Sequence, residues 1–161
     1  MKSKLTCFGI IVLGVILIGI PTVYALEFLP VTPCRFIDTR NAGGAFYSGE
    51  TRVVYSYGTA AKIGTEQGVN PDGCGNVYWG VAKAVLINIV AVDAIGQGWL
   101  TVWPYGVAKP LAGGLNYGPK SGDPISNAFS IGADTAYSKI NIYAHKQTHV
   151  VGDIMGIYYE P

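Results

Sequence analysis

The stretch Pro33-Cys34-Arg35-Phe36-Ile37-Asp38-Thr39-Arg40 places a cysteine, two arginines and an aspartate on eight residues with strand character. Asp38 and Arg40 are two residues apart, so their side chains project from the same face of a strand. A cysteine beside such a polar cluster indicates a disulfide bond together with an ion pair. The stretch therefore predicts a strand at the N-terminal edge of a domain, held in place by both.

Residues 1–25 have the three parts of a secretory signal. Lys2 and Lys4 supply positive charge, Phe8–Ile20 is an apolar run of thirteen residues, and Val23-Tyr24-Ala25 fits a cleavage site. A membrane span needs about 20 residues, so we expect a signal helix that is cleaved after Ala25. An uncleaved anchor is the alternative, and it would be the protein's only attachment to a membrane. The expected location is extracellular, at the cell surface or in the periplasm.

The expected mature chain, residues 26–161, has the size of a single domain with a real core. Without Lys2 and Lys4, nine basic side chains stand against ten acidic ones, which gives a formal charge of −1. Such a surface offers no positive field for nucleic acid, so no nucleic-acid partner is expected. Scarce charges together with abundant glycine and tyrosine are typical of a compact exported β-protein.

Cys34 and Cys74 are the two cysteines of the expected mature chain. An even number in an oxidising compartment favours a disulfide between them. That bond would close a loop of about 41 residues and stabilise the fold by roughly 4 kcal/mol. Free thiols or intermolecular pairing are the alternatives. No haem-attachment or zinc spacing of Cys and His occurs, so neither a cofactor nor a metal is expected.

After Ala25 the chain shows apolar or alternating runs separated by Gly, Asn and Pro turn residues, with almost no helical periodicity. This pattern predicts an all-β antiparallel sandwich, Greek-key or jelly-roll-like, with roughly eight or nine strands. Segment 58–80 is irregular and Gly-rich, and is predicted to be a binding loop or a loop pinned by the disulfide. The predicted strands are 35–40, 51–57, 81–93, 98–104, 113–117, 125–132, 137–145 and 149–159.

Two of these runs, Lys83–Asp93 and Val150–Tyr159, are apolar on both faces and are expected in the middle of the fold. Asn88 is the only polar residue inside the first run, and Asp153 is the corresponding polar residue of the second. An isolated buried carboxylate is costly, so Asp153 is predicted to have a cationic partner.

Arg35 or Arg40 is the expected partner of Asp153, because arginine forms a bidentate fork on a carboxylate. We therefore predict a structural ion-pair cluster of Arg35, Asp38, Arg40 and Asp153. An acid–base pair of Asp38 and Asp153 is the functional alternative, although no companion nucleophile is evident in the sequence.

His145 and His149 flank a tight connection, and Asp153 follows four residues later. On a helix this spacing would resemble a metal-binding face. Because the flanking segments are predicted to be strands, we expect solvated or capping histidines and no metal.

Trp99, Thr101 and Trp103 share one face of a predicted strand, and Tyr105 continues the aromatic line. Exposed rings in a row stack on sugars, whereas buried ones form a core wall or a subunit contact. The second interpretation is preferred, and glycan binding is the alternative. Trp79, in the irregular segment, would add to the core wall or subunit contact, or to the glycan-binding surface.

No catalytic signature is present in the sequence. There is no Gly-x-Ser-x-Gly elbow, no His-Glu-x-x-His and no phosphate-binding glycine loop that opens a helix. On these grounds the protein is not expected to be an enzyme.

Four segments resemble, in order and spacing, the motifs of a widespread and mostly uncharacterised bacterial secreted domain. Pro33–Arg40 resembles its opening PCR-hydrophobic-hydrophobic-DTR, and Leu86–Gly106 resembles its central LNVTAV and LTVWP motifs. Leu115–Tyr117 resembles an LNF or LNY segment. Thr148–Tyr158 resembles the closing THLVADVxGYF.

This resemblance implies a non-catalytic β-sandwich that occurs alone or as a module of exported proteins. Two departures from the motifs are Val90 in place of threonine and Gly152 in place of alanine, and His145 is not part of the pattern. The positions carried over, with fold-defining roles implied by the resemblance, are Asp38, Arg40, Asn88, Trp103, His149 and Asp153.

The function predicted from the sequence is that of a secreted, non-catalytic structural or adhesive surface module. Its expected partners are other protein subunits, including further copies of itself joined by strand addition at a sheet edge. A carbohydrate-binding module that uses a Trp and Tyr platform is the alternative, with surface glycans as partners.

Overall fold

The computed structural model describes residues 25–56, 64, 66–69, 81–118, 123–132 and 139–161. Cys74, Trp79 and the predicted signal helix lie outside these residues. No helix within the described ranges has the length and apolarity needed to cross a membrane. The strands are β1 (Glu27–Asp38), β2 (Glu50–Tyr55), β3 (Ala82–Val92), β4 (Gly98–Pro104), β5 (Leu115–Tyr117), β6 (Ile125–Gly132), β7 (Lys139–Ala144) and β8 (His149–Tyr159).

The eight strands form nested antiparallel pairs, as in one long hairpin. β1 pairs with β8, β2 with β7, β3 with β6 and β4 with β5. Two further pairings, β3 with β8 and β4 with β7, join them into the sheets β1-β8-β3-β6 and β2-β7-β4-β5. A long hairpin rolled into two four-stranded sheets is a jelly roll. The predicted all-β antiparallel sandwich is therefore confirmed.

The core lies between the inner faces of the two sheets. On β3, Val85, Ile87 and Ile89 are fully buried, whereas the residues between them are half-buried. Ile140 and Ile142 of β7 are equally buried in the second sheet. The period of two on β3 places one face of this strand in the core and the other on the outer surface of the sandwich.

β1 begins at Glu27, eight residues before the predicted start. Pro30 and Pro33 make this part of the sequence a poor strand candidate, because proline cannot donate to a ladder. β1 is an edge strand, where proline is tolerated, and its pairing with β8 shifts register between Pro30 and Cys34. The prolines thus mark an irregular sheet edge within a single strand.

Candidate functional site

A row of polar residues crosses three strands on the outer face of the first sheet. Asn88 of β3 lies opposite Asp153 of β8, and Asp153 lies opposite Arg35 of β1. Arg35 donates from Nε to Oδ1 of Asp153 at 2.9 Å and from Nη2 to Oδ2 at 3.2 Å. Of the two arginines considered as partners of Asp153, Arg35 is the one that forms the bidentate pair.

Arg40 binds Asp38 instead. Its Nε and Nη2 donate to the two carboxylate oxygens at 2.8 Å and 2.6 Å, and its backbone N–H donates to Oδ1 at 3.2 Å. Arg35 also reaches Asp38, with 3.4 Å between Nη1 and Oδ2. The structure therefore brings together Arg35, Asp38, Arg40 and Asp153 in one cluster, which joins the end of β1 to β8.

The hydrogen bonds from Arg40 are the main reason that the pKa of Asp38 lies below its usual value, and the charge of Arg35 acts in the same direction. The Asp38 side chain is 3% exposed. A general acid or base works best with a pKa near the working pH. A lowered pKa suits an ion pair better than the alternative acid–base role for Asp38.

The pH dependence of stability tests this ion pair. Folding lowers the pKa of Asp38, so the ionised carboxylate stabilises the folded protein above the unfolded pKa of about 3.9. This stabilisation is lost as the pH falls through the pKa that Asp38 has in the folded protein. We expect Asp38→Asn to cost about 2 kcal/mol at neutral pH and much less near pH 2, measured by urea unfolding. Asp153→Asn is the control with a more exposed carboxylate and a smaller expected penalty. An Asp38→Asn penalty that does not change with pH would contradict the assignment.

His149 connects the start of β8 to the end of β1 through Thr39. The backbone N–H of Val150 donates to Thr39 Oγ1 at 2.8 Å, and Oγ1 lies 3.1 Å from Nδ1 of His149. Thr39 Oγ1 is thus hydrogen-bonded both to the backbone of β8 and to the imidazole of the first residue of β8. Thr39 is 3% exposed, so this contact stabilises the strand ends and does not present a nucleophile.

His145 has different surroundings from His149. Its ring stacks on Trp99 with 3.6 Å between the ring centroids and an angle of 12° between the planes. The two histidines therefore contact different residues, His145 the ring of Trp99 and His149 the hydroxyl of Thr39. Within the described part of the chain, no group of three His, Cys, Asp or Glu side chains is placed to hold a metal ion.

The aromatic residues of β4 share the outer face of the second sheet, but they do not form one flat platform. Trp103 is 6% exposed, and its Nε1 donates to the carbonyl of Val107 at 3.0 Å in the connection that follows β4. Trp99 is half-buried against His145, and Tyr105 is 38% exposed. Of the three rings that the alternative of glycan binding would need exposed, Trp103 is therefore buried, because its own chain covers it.

Gln67 joins the two sheets at the side where β1 and β2 form the edges. Its Oε1 accepts the backbone N–H of Tyr55 at 2.6 Å, and its Nε2 donates to the carbonyls of Tyr55 at 2.9 Å and Phe36 at 2.6 Å. The buried side-chain amide thus hydrogen-bonds to the backbones of both β1 and β2, as a backbone peptide group between them would. Nothing in the irregular segment 58–80 singled out this residue beforehand.

Cys34 lies on β1 beside this closure. It is 4% exposed. Cys74 lies outside the described residues, so its pairing with Cys34 stays a prediction.

The four sheet edges differ in how they are protected. β1 carries two prolines, β2 carries the charged Glu50 and Arg52, and β5 has three residues. Prolines, charges and short length are the devices that keep sheet edges from pairing with other chains. β6, the remaining edge, has the eight-residue sequence Ile125-Ser-Asn-Ala-Phe-Ser-Ile-Gly132, without charge or proline.

Comparisons of the chain with protein-family models, with curated proteins and with solved structures find no match.

Proposed function

We propose that the protein is an exported, non-catalytic structural or adhesive module of the cell surface, which associates with protein chains by strand addition at β6. The observation that carries the proposal is the contrast between β6 and the other three edges. In strand addition, the main chain of an edge strand binds an extended segment through ladder hydrogen bonds. A long neutral strand without proline is the most suitable template for this contact.

The side chains of β6 favour close approach of a second strand. Ser126, Ala128 and Ser130 are exposed on the outer face, and all three are small. Ile131 lies in the core on the other face, and Phe129 packs against the core there. β6 is thus fixed to the sandwich by one face and by its ladder with β3, while its other edge pairs with no described strand.

The opposite side of the sandwich supports the same proposal. There Gln67 joins β1 to β2, and the ion pair of Arg35 with Asp153 joins β1 to β8. These contacts leave little freedom for β1 or β2 to accept another strand. Association would therefore be directed to the β6 edge.

The substitution Ala128→Lys tests the proposal, since an edge lysine opposes strand pairing. We expect the mature wild-type protein to associate as its concentration is raised in analytical ultracentrifugation, and Ala128→Lys to remain monomeric with an unchanged Tm. Thr51→Lys, an exposed position on the charged edge β2, is the matched control and should associate like the wild type. A wild type that stays monomeric throughout, or an Ala128→Lys variant that associates equally well, would refute the proposal.

Carbohydrate binding is the second candidate, and Trp99 is the residue that favours it. Its indole is held in place by the stack on His145, and the exposed amide Asn116 lies opposite it on β5. Aromatic rings that stack on sugars, together with amides that bond hydroxyls, suit a glycan. Monomers that bind a defined sugar on a glycan array would favour this candidate over self-association.

A further inference from the structure

We infer that the partner of β6 is a second copy of the same chain, paired antiparallel about a two-fold axis that passes through Ala128. The inference rests on the proposed strand addition at β6, and it specifies the partner and the register. Joined in this way, the two first sheets would form one continuous sheet of eight strands.

The alternation of side chains restricts the register. Side chains that face outward on β6 must meet outward side chains of the second copy, because opposite residues in a ladder share a face. Two registers satisfy this condition and use nearly the whole strand, one centred on Ala128 and one centred on Phe129.

The register centred on Ala128 gives the better side-chain pairs. It places Ser126 opposite Ser130 of the second copy, and the two-fold axis repeats this pair. Ala128 lies opposite Ala128 of the second copy, so a serine pair lies on each side of this small residue. Such cross-strand serine pairs are favourable. The register centred on Phe129 would set two phenylalanine rings opposite each other, although each ring already packs against Gly114 of its own chain.

The absence of charge on β6 favours a second copy over a charged segment. In a two-fold contact every residue meets the same strand again, so any charge would be repeated across the interface. Like charges opposite each other destabilise a strand pair. Among the four edge strands described, β2 carries Glu50 and Arg52 and β1 carries Arg35, whereas β6 avoids this repulsion.

The Asn127 side chain competes with the second copy for the central backbone donor of β6. Its Oδ1 accepts the backbone N–H of Ala128 at 2.9 Å, and its Nδ2 donates to the carbonyl of Gly114 at 2.7 Å. In the two-fold pair, the Ala128 N–H donates instead to the Ala128 carbonyl of the second copy. The side chain of Asn127 thus satisfies the central donor in the single chain and must release it on pairing.

Single cysteine substitutions on the exposed face of β6 test the register. In the inferred pair the Cβ atoms at position 128 lie about 5 Å apart, close to disulfide range. We expect Ala128→Cys to form a cross-linked dimer as its main product under mild oxidation, read on a non-reducing gel. Ser126→Cys or Ser130→Cys alone should give only traces, and the two mixed should cross-link.

The outcomes separate the inference from the proposed function. If the wild type associates and Ala128→Lys abolishes association, but Ala128→Cys does not cross-link, the register is wrong while strand addition at β6 stands. If Ser126→Cys or Ser130→Cys cross-links more efficiently alone than Ala128→Cys, the register is also wrong. If the wild type never associates, both the inference and the proposed function fail.

Discussion

Replacement of Gln67 by alanine is expected to lower the free energy of unfolding by about 3 kcal/mol. The change removes the amide that bonds the backbone groups of Tyr55 and Phe36, and a buried polar group that loses its partner costs about 1–3 kcal/mol. Gln67 lines a cavity of about 210 Å³, which can admit water and limits the loss. Urea unfolding measures the change, and Glu66→Ala, an exposed neighbour, should have little effect.

The isosteric change Gln67→Glu sharpens this prediction. At neutral pH it should destabilise the protein more than alanine does, because a carboxylate oxygen would face the Phe36 and Tyr55 carbonyls that Nε2 now bonds. Burial and these carbonyls raise the pKa of the introduced carboxyl. Its penalty relative to the wild type should therefore shrink as the pH falls through that raised value. A variant as stable as the wild type at pH 7 would show that the amide does not bridge the edges.

The second large effect is expected at Gly152 of β8. A Cβ at this position would lie 2.7 Å from two ring atoms of Phe36 and 2.8 Å from Cγ2 of Ile37. Both neighbours are buried, so Gly152→Ala should cost about 2 kcal/mol through overpacking. Gly132→Ala is the control, since the nearest atom to a Cβ there is Cγ of Pro104 at 3.6 Å.

A smaller side chain at position 36 should relieve the clash. Phe36→Leu alone leaves a cavity and is expected to cost about 1–2 kcal/mol. The double variant of Phe36→Leu and Gly152→Ala should be more stable than the sum of the single changes predicts, by at least about 1 kcal/mol in a double-mutant cycle. Additive effects would mean that the Phe36 ring does not occupy the space that a side chain at position 152 would need.

This contact gives a physical reason for glycine at position 152. Here the ring of Phe36 occupies the space that an alanine Cβ would need. The two positions lie on paired strands, so a larger residue on β1 is matched by a smaller one on β8.

Much of the strand pattern could be predicted from the sequence, because the turns are marked by residues with distinct backbone preferences. β4 begins at Gly98 and ends at Pro104, where it was predicted to, and β6 and β8 also have their predicted bounds. β1 could not be bounded in this way. Its two prolines are acceptable only because β1 is an edge strand, and strand order is a property of the whole chain.

The candidate site, too, could be predicted from the sequence only in part. An aspartate in an apolar strand predicted a cationic partner for Asp153, since a lone buried carboxylate is costly. Which arginine it would be depended on the register shift between Arg35 and Ile37, which alternation alone does not reveal. The role of Gln67 and the position of β6 at a sheet edge could be recognised only from the sheet order.

The nested pairing also sets an order of events when the chain is made. β4 and β5 are close in sequence, so their pairing closes a short loop, whereas β1 must wait for β8 at the far end of the chain. Contacts between distant segments form slowly because loop closure costs entropy before they form. β1 leaves the ribosome before the other strands and β8 after them. The strand that carries the Asp38 and Arg35 pairs therefore remains without its ladder until synthesis of the domain is nearly complete.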